Sequence, residues 1–180
     1  MKTEIEVKFE VKNPDFIRKK LKKAGTKFLG KAFERTIRFD TKDKKLEKEG
    51  KFLRVRTGFK NVITFKRKIR SKKFREREEI EFEISNPKEM EIILESLGFL
   101  RKRVMEKYRE KWLFKNAEIV IDKLPMGNYI EIEGTKNEIL KTARILNLNF
   151  KESIADTYWD LWKYYREKHH IKNENIVFKK

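Results

Sequence analysis

The sequence predicts an α+β fold, an antiparallel sheet whose strands show one apolar and one charged face, with helices laid over the apolar side. Three observations predict it. Short β-rich segments alternate apolar with charged residues, the period-two pattern of a half-buried strand. Three of these segments run directly into helix signals. Two of the strand–helix units repeat at an offset of 73 residues.

The first unit is a strand over 3–12, followed by a helix with Asn13 as N-cap and Pro14 in its first turn. Phe16, Ile17 and Leu21 form the helix stripe and Gly25 closes it. Segments 34–40, 51–57 and 61–68 read as further strands, with a hairpin turn from Gly58 to Asn61. The second unit is a strand over 75–85, then Asn86-Pro87, then a helix carrying Met90, Ile93, Leu94 and Leu97 that ends at Gly98. Within the repeat, residues 6–11 (EVKFEV) align with 79–84 (EIEFEI) without a gap. Segments 103–113 and 117–123 pair across a turn at Lys115-Asn116. The third unit is the strand 128–133 and a helix carrying Ile139, Leu140, Ala143 and Leu146. A last helix over 153–168 presents Tyr158, Leu161, Trp162 and Tyr165. One domain is expected over residues 1–168, with a polar, mobile C-terminal tail over 169–180.

Composition narrows the chemistry. Cysteine is absent, so disulfides and thiolate metal sites are excluded. The two histidines, His169 and His170, fall in the tail and read as solvated. Any metal therefore has oxygen ligands, which points to hard cations such as Mg²⁺ or Mn²⁺. The N-terminus does not read as a signal peptide and no apolar run reaches a membrane span, so a cytoplasmic, non-membrane protein is expected. Charged residues make up 42% of the chain, rich in Lys and Glu, as in hyperthermophile proteins. A net charge of +18 implies affinity for polyanions, or simply a lysine-rich surface. No glycine-rich phosphate loop, HExxH or nucleophile elbow is present.

The charged strand faces hold the candidate site. Glu4, Glu6 and Lys8 share one face of the first strand; Arg54 and Arg56, Thr64 and Lys66, Arg77, Glu79 and Glu81, Lys107 and Arg109, Asp122, and Glu131 and Glu133 share faces of the others. A single such strand reads as the wet face of a sheet. Many together, if the sheet curls, line an interior where charges must pair or bind ions. An open sheet with a charged concave face has the same pattern. Arg and Lys suit phosphate oxygens and the Glu-x-Glu pairs suit divalent cations, so the combination suits a metal–polyphosphate complex.

These residues, in this order, resemble the CYTH superfamily of triphosphate tunnel metalloenzymes. Glu4-x-Glu6-x-Lys8 is similar to its ExExK, Phe39-Asp40-Thr41 to its FDT, Leu53-Arg54-Val55-Arg56 to its LRxR and Thr64-x-Lys66 to its TxK. Arg77-x-Glu79-x-Glu81 resembles its RxExE, and Lys107-x-Arg109 its KxR. The closing match is Asp122, Leu124, Gly127 and Glu131-x-Glu133, with Thr157-Tyr158 where many members have Ser-Tyr. The resemblance covers about residues 3–165. It implies a closed or nearly closed eight-stranded antiparallel β-barrel, a tunnel with helices outside and an internal pseudo-two-fold repeat. It implies Mg²⁺ or Mn²⁺ on Glu4, Glu6, Asp122, Glu131 and Glu133. It further implies Lys8, Arg54, Arg56, Lys66, Lys107 and Arg109 as catalytic and substrate-binding residues, with Arg77, Glu79, Glu81 and Tyr158 completing the substrate site. The expected substrate is a triphosphate (inorganic triphosphate, thiamine triphosphate or ATP), either hydrolysed or, for ATP, cyclised to cyclic AMP and pyrophosphate. A non-catalytic nucleotide-binding module and a basic RNA-binding protein are the alternatives, and a homodimer fits any of them.

Overall fold

The structure is a computed structural model, which describes residues 5–68 and 77–179 and leaves aside the side chains of Lys68 and Arg77. Eight strands form one antiparallel sheet in the order β1-β8-β7-β6-β2-β3-β4-β5. They are β1 (Glu6–Glu10), β2 (Lys27–Asp40), β3 (Phe52–Thr57), β4 (Val62–Lys68), β5 (Arg77–Glu83), β6 (Leu100–Phe114), β7 (Ala117–Leu124) and β8 (Gly127–Glu133). The helices are α1 (Pro14–Lys23), α2 (Lys45–Lys48), α3 (Pro87–Ser96), α4 (Lys136–Leu146) and α5 (Tyr158–Lys168).

The chain divides into two compact units, one of Phe33–Glu106 and one of Lys2–Ala32 with Lys107–Lys180. In the second of these, which we call the α1/α4 unit, the apolar strand faces carry Phe9, Trp112, Ile119, Ile121, Ile130 and Ile132, all buried. Ile17 and Leu21 of α1 and Ile139, Ala143 and Leu146 of α4 close over them. This burial is the main driving force of the unit, at roughly 1.5–3 kcal/mol per large apolar side chain. In the other, the α3 unit, Ile37, Phe39, Leu53 and Val55 of β2 and β3 meet Leu94 and Met90 of α3.

The 73-residue repeat is seen in the local geometry. Asn13 and Asn86 cap α1 and α3 with almost the same backbone (φ −126°, ψ 89° and φ −125°, ψ 95°), each side chain accepting from the backbone N–H three residues on. Gly25 and Gly98 end the two helices at φ +71° and +87°, the left-handed region that glycine enters without a Cβ penalty. The two helices cover aligned residues, and β1 and β5 end on aligned residues.

The expectation of a closed or nearly closed barrel is not met. The strand order is open: β1 stands at one end, paired with β8, and β5 at the other, paired with β4. Among the described residues no ladder joins β1 to β5. A physical reason lies on β1 itself. Its other edge is taken at Lys8, whose carbonyl accepts from the Ile154 N–H at 2.8 Å in an isolated antiparallel bridge.

Two other features depart from the sequence reading. The segment read as a mobile tail buries Ile176 completely and lays the Phe178 ring on Tyr108, with centroids 5.3 Å apart. The last helix begins later than its pattern suggested, at Tyr158, where Thr157 and Asp160 form a capping box. No helix among the described residues is long and apolar enough to cross a membrane.

Candidate functional site

On the polar face of the α1/α4 unit, four strands and α5 bring six side chains together. Lys8 (β1) lies opposite Glu131 (β8), and Arg109 (β6) opposite Asp122 (β7). Arg109 donates to Asp122 Oδ1 at 2.7 Å and Oδ2 at 2.5 Å, and to Glu131 at 2.7 Å. Lys107 donates to Asp122 at 3.1 Å. The Tyr158 hydroxyl, from the first turn of α5, donates to the same carboxylate at 2.9 Å. Lys8 Nζ donates to the Asp156 carbonyl at 3.0 Å, lies 3.4 Å from Glu131 and sits 4.5 Å from the Tyr158 ring centre. Lys107 Nζ is 5.4 Å from the same ring, so two ammonium groups meet its electron-rich face.

Asp122 is wholly buried. Burial alone disfavours its charge, but Lys107, Arg109 and the hydrogen bonds of Arg109 and Tyr158 outweigh it and hold the carboxyl well below the usual carboxylate range. Tyr158 moves the other way: burial, then the nearby charges of Asp122 and Glu131, raise its hydroxyl well above the ordinary phenol value. It therefore stays a donor at neutral pH.

The α3 unit carries a second constellation. Arg54 and Arg56 of β3 and Thr64 and Lys66 of β4 meet Glu79 and Glu81 of β5. Lys66 reaches Glu79 at 2.5 Å, Arg56 lies 3.6 Å from Glu81, and Arg54 lies 3.9 and 3.8 Å from Glu79 and Glu81. Thr64 donates to Glu81 at 2.7 Å and accepts from Arg54 at 3.2 Å. Burial, then Arg56, lowers the pKa of Arg54, partly offset by Glu79, Glu81 and Glu34. Arg77 is in register opposite Lys68 by its backbone.

The acidic residues read as metal ligands divide three ways. Glu4 lies outside the described residues. Asp122 and Glu131 are engaged by the bases just named. Glu6 lies opposite Glu133, which lies opposite Glu118, so three carboxylates share one face of three adjacent strands. Among the described residues no three acidic or histidine side chains converge on one point. The donors are all hard oxygens, as Mg²⁺ or Mn²⁺ requires, and the register sets them side by side.

Some residues were missed by the sequence reading. Glu34 is buried on the same face of β2 as Thr36, and a Cβ on Gly58 (φ +149°) would lie only 2.6 Å from its Cγ. Its signal was weak, because the sequence reading began that strand at residue 34 and put no charged face on it. Asp40 was read only as part of a motif. Its carboxylate accepts from the backbone N–H groups of Thr41, Leu46 and Glu47 and so organises the turn into α2. Glu110, on the apolar face, receives two hydrogen bonds from Arg18 of α1, which no strand pattern could show.

Comparison with known proteins adds a family. The CYTH domain matches over residues 2–158. A Methanocaldococcus jannaschii protein named "putative adenylate cyclase" is 30% identical over 145 residues, which cover 79% of this chain and 83% of that one. The structure is similar to that of a Pyrococcus horikoshii protein with 29% identity and a TM-score of 0.69, covering 87% of this chain and 97% of that one. It also shares its fold with a Hippeastrum protein at 19% identity and a TM-score of 0.63, covering 90% and 96%; the report of that structure describes an adenylyl cyclase candidate with dominant triphosphatase activity.

Proposed function

Because this chain belongs to the CYTH-domain family, we propose that it is a divalent-metal-dependent enzyme acting on a triphosphate, with hydrolysis as its reaction. One observation carries the reading. Lys8, Lys107 and Arg109 surround Asp122 and Glu131, three cations with two carboxylates, and Lys8, Lys107 and Asp122 are each less than a tenth exposed. Guanidinium and ammonium groups held this close together in so dry a place offer phosphoryl oxygens both forked and point-charge contacts.

In this reading, the Arg109 guanidinium and the Lys8 and Lys107 ammonium groups hold phosphoryl oxygens and stabilise charge as it develops on them. Asp122 is a positioning residue, aiming Arg109, Lys107 and the Tyr158 hydroxyl. Arg54, Arg56 and Lys66 offer phosphate the same chemistry in the α3 unit, with Arg77, Glu79 and Glu81 beside them in sequence and register. Glu6, Glu131 and Glu133 would hold Mg²⁺ or Mn²⁺, which when bound polarises phosphoryl oxygens and lowers the pKa of water. For inorganic triphosphate, the water oxygen bonds to the terminal phosphorus, the bridging P–O bond breaks, and its electron pair leaves with diphosphate. Cyclisation of ATP requires instead a ribose hydroxyl in line at the α-phosphorus. The name of the Methanocaldococcus relative makes that the reaction to compare.

The test is incubation with inorganic triphosphate, thiamine triphosphate and ATP, each with Mg²⁺ or Mn²⁺, following orthophosphate, pyrophosphate and cyclic AMP. Orthophosphate release that depends on metal and falls in Glu131→Gln is expected. Cyclic AMP with pyrophosphate as the main products of ATP sinks the hydrolase. Tight triphosphate binding without any product makes the protein a binding module, and salt-sensitive RNA binding indifferent to Glu131→Gln makes it an RNA-binding protein.

A further inference from the structure

The helix-covered side of the α1/α4 unit holds a cavity that its core does not fill. Side chains of β6 alternate, so Lys107 and Arg109 serve the Asp122 cluster while Trp112 and Phe114 face the other way, among the core side chains. On α4, Ile139, Ala143 and Leu146 belong to that core. Glu138, Lys141, Thr142 and Ile145, spaced three, four and seven residues from the first, form the adjoining stripe of the helix. Between this stripe and the end of β6 lies a cavity of about 300 Å³, completed by Phe114, Lys115 and Arg144.

Its wall is mostly apolar, although four of its seven residues are charged. Long charged side chains lay their methylene stems along such a wall and keep their heads at the rim. Water is held poorly there, since a buried water needs about two to four polar partners. One polar group is nevertheless built into the wall. Thr142 is 2% exposed, and among the described residues its hydroxyl makes no hydrogen bond. A hydroxyl inside a helix often returns to the carbonyl four residues back, as Ser96 does to Ile92 at 2.8 Å. That of Thr142 does not, which leaves it to donate to a ligand.

The charges favour an anion. Lys115, Lys141 and Arg144 are exposed at the rim, and none of them has a salt bridge among the described residues. The acid of the wall, Glu138, is engaged at the start of α4: its Oε2 accepts from the Thr135 backbone N–H at 2.8 Å and from the Thr135 hydroxyl at 2.7 Å. Its charge still counts. Even with Lys141 set against it, Lys115 and Arg144 remain as cations in excess.

We propose that this cavity binds a small organic carboxylate with an apolar body, either an aryl ring system or a short alkyl chain. Size sets that class, because about 300 Å³ is the lower end of ligand pockets. The apolar body lies on Phe114 and Ile145. The Arg144 guanidinium takes the carboxylate by its fork, and Thr142 donates to a ligand oxygen. The site is separate from the one assigned to triphosphate, since Phe114 and Arg109 point to opposite sides of β6.

Isothermal titration calorimetry on the full chain, with naphthoate and with octanoate, tests it. At least one of the two is expected to bind, one molecule per chain, and its neutral counterpart, naphthylmethanol or octanol, at least about tenfold more weakly. Arg144→Glu is expected to weaken binding at least about tenfold and Thr142→Val about fivefold. Both variants should keep the circular dichroism and the triphosphate turnover of wild type. Thr142→Val preserves the shape of the side chain and removes only the hydroxyl, so its effect is not a loss of packing. Failure of both carboxylates to bind at millimolar concentration overturns the proposal. So does binding that either variant leaves unchanged, or equal affinity for the neutral counterparts. Displacement of the carboxylate by inorganic triphosphate overturns it as well, because the ligand would then lie among Lys8, Lys107 and Arg109.

Discussion

Asp122 in the α1/α4 unit and Arg56 in the α3 unit hold the same place in the repeat. Asp122 lies opposite Arg109, Arg56 lies opposite Thr36, and Thr36 and Arg109 are 73 residues apart. The inversion runs along the sheet. Lys8 corresponds to Glu81, and their partners Glu131 and Thr64 correspond in turn; Glu133 corresponds to Lys66. One unit puts its acids on β7 and β8 between bases on β1 and β6. The other puts its bases on β3 and β4 beside acids on β5. The caps and helix lengths are the same, so the backbone does not dictate the charges. The polar face is free to vary because nothing in the core depends on its sign.

Burial separates the two constellations. The side chains of Asp122, Lys8 and Arg109 are 0%, 8% and 12% exposed, whereas those of Arg56, Lys66 and Glu81 are 24%, 25% and 35% exposed. The first set lies under Tyr158, which α5 supplies.

The largest expected effect breaks the comparison at its centre. Asp122→Asn leaves Lys107 and Arg109 facing a neutral group in a dry site, and a loss of about 3–5 kcal/mol is expected in denaturant unfolding. Arg56→Gln, at the equivalent but wetter place, is expected to change stability by less than about 1 kcal/mol. The difference depends on pH in a defined direction. Because Asp122 has a lower pKa folded than unfolded, it stabilises the protein above the unfolded value of about 3.9 and loses this as pH falls through its folded pKa. The gap between wild type and Asp122→Asn should therefore shrink progressively below about pH 4. A gap that widens in acid refutes the assignment.

Next in size is the effect on turnover. Arg109→Lys keeps the charge but cannot make the forked contacts to Asp122 and Glu131, and kcat/KM for triphosphate is expected to fall about 10²-fold. Arg54→Lys, whose guanidinium makes one hydrogen bond to Thr64 and looser ion pairs, is expected to cost about tenfold or less. Equal losses would remove the distinction between the two constellations.

Gly58→Ala probes the buried carboxylate of the α3 unit. The new Cβ meets Glu34 Cγ at 2.6 Å on a backbone that L-residues avoid, so a loss of about 1–3 kcal/mol is expected. The α1/α4 unit should keep its tertiary signals, read from Trp112 and Trp162 fluorescence, in conditions where the α3 unit has lost its own. The smallest effect tests the sameness of the scaffold. Asn13→Ala and Asn86→Ala should each cost about 1 kcal/mol, and a marked inequality between them would show that the shared cap geometry hides different surroundings.

Much of this was legible in the sequence. Asn-Pro and Gly, 73 residues apart in each case, located α1 and α3, because cap and stop depend on a few adjacent residues and on φ. Alternation assigned Lys8, Arg109, Asp122 and Glu131 to polar faces, because side-chain direction in a strand has period two. What Asp122 does was not legible. Its type suits a metal as well as a base, and only the register with Arg109, together with Lys107 and Tyr158, shows that three donors already hold it. Glu110 and Arg18 meet because α1 packs on the sheet beside β6, a relation between residues 92 apart.

The sequence by itself determined the strand faces, the helix ends, the repeat and the inventory of acids and bases, since each follows from local sterics and short-range periodicity. The tertiary structure alone decided that the sheet order stays open from β1 to β5, which carboxylates are engaged by bases, and which of two equivalent phenylalanines, Phe9 and Phe82, is covered. Those outcomes depend on pairings between distant segments, such as Ile154 on the edge of β1 and α4 over its apolar face. An alternating pattern reads the same whether such a partner arrives or not.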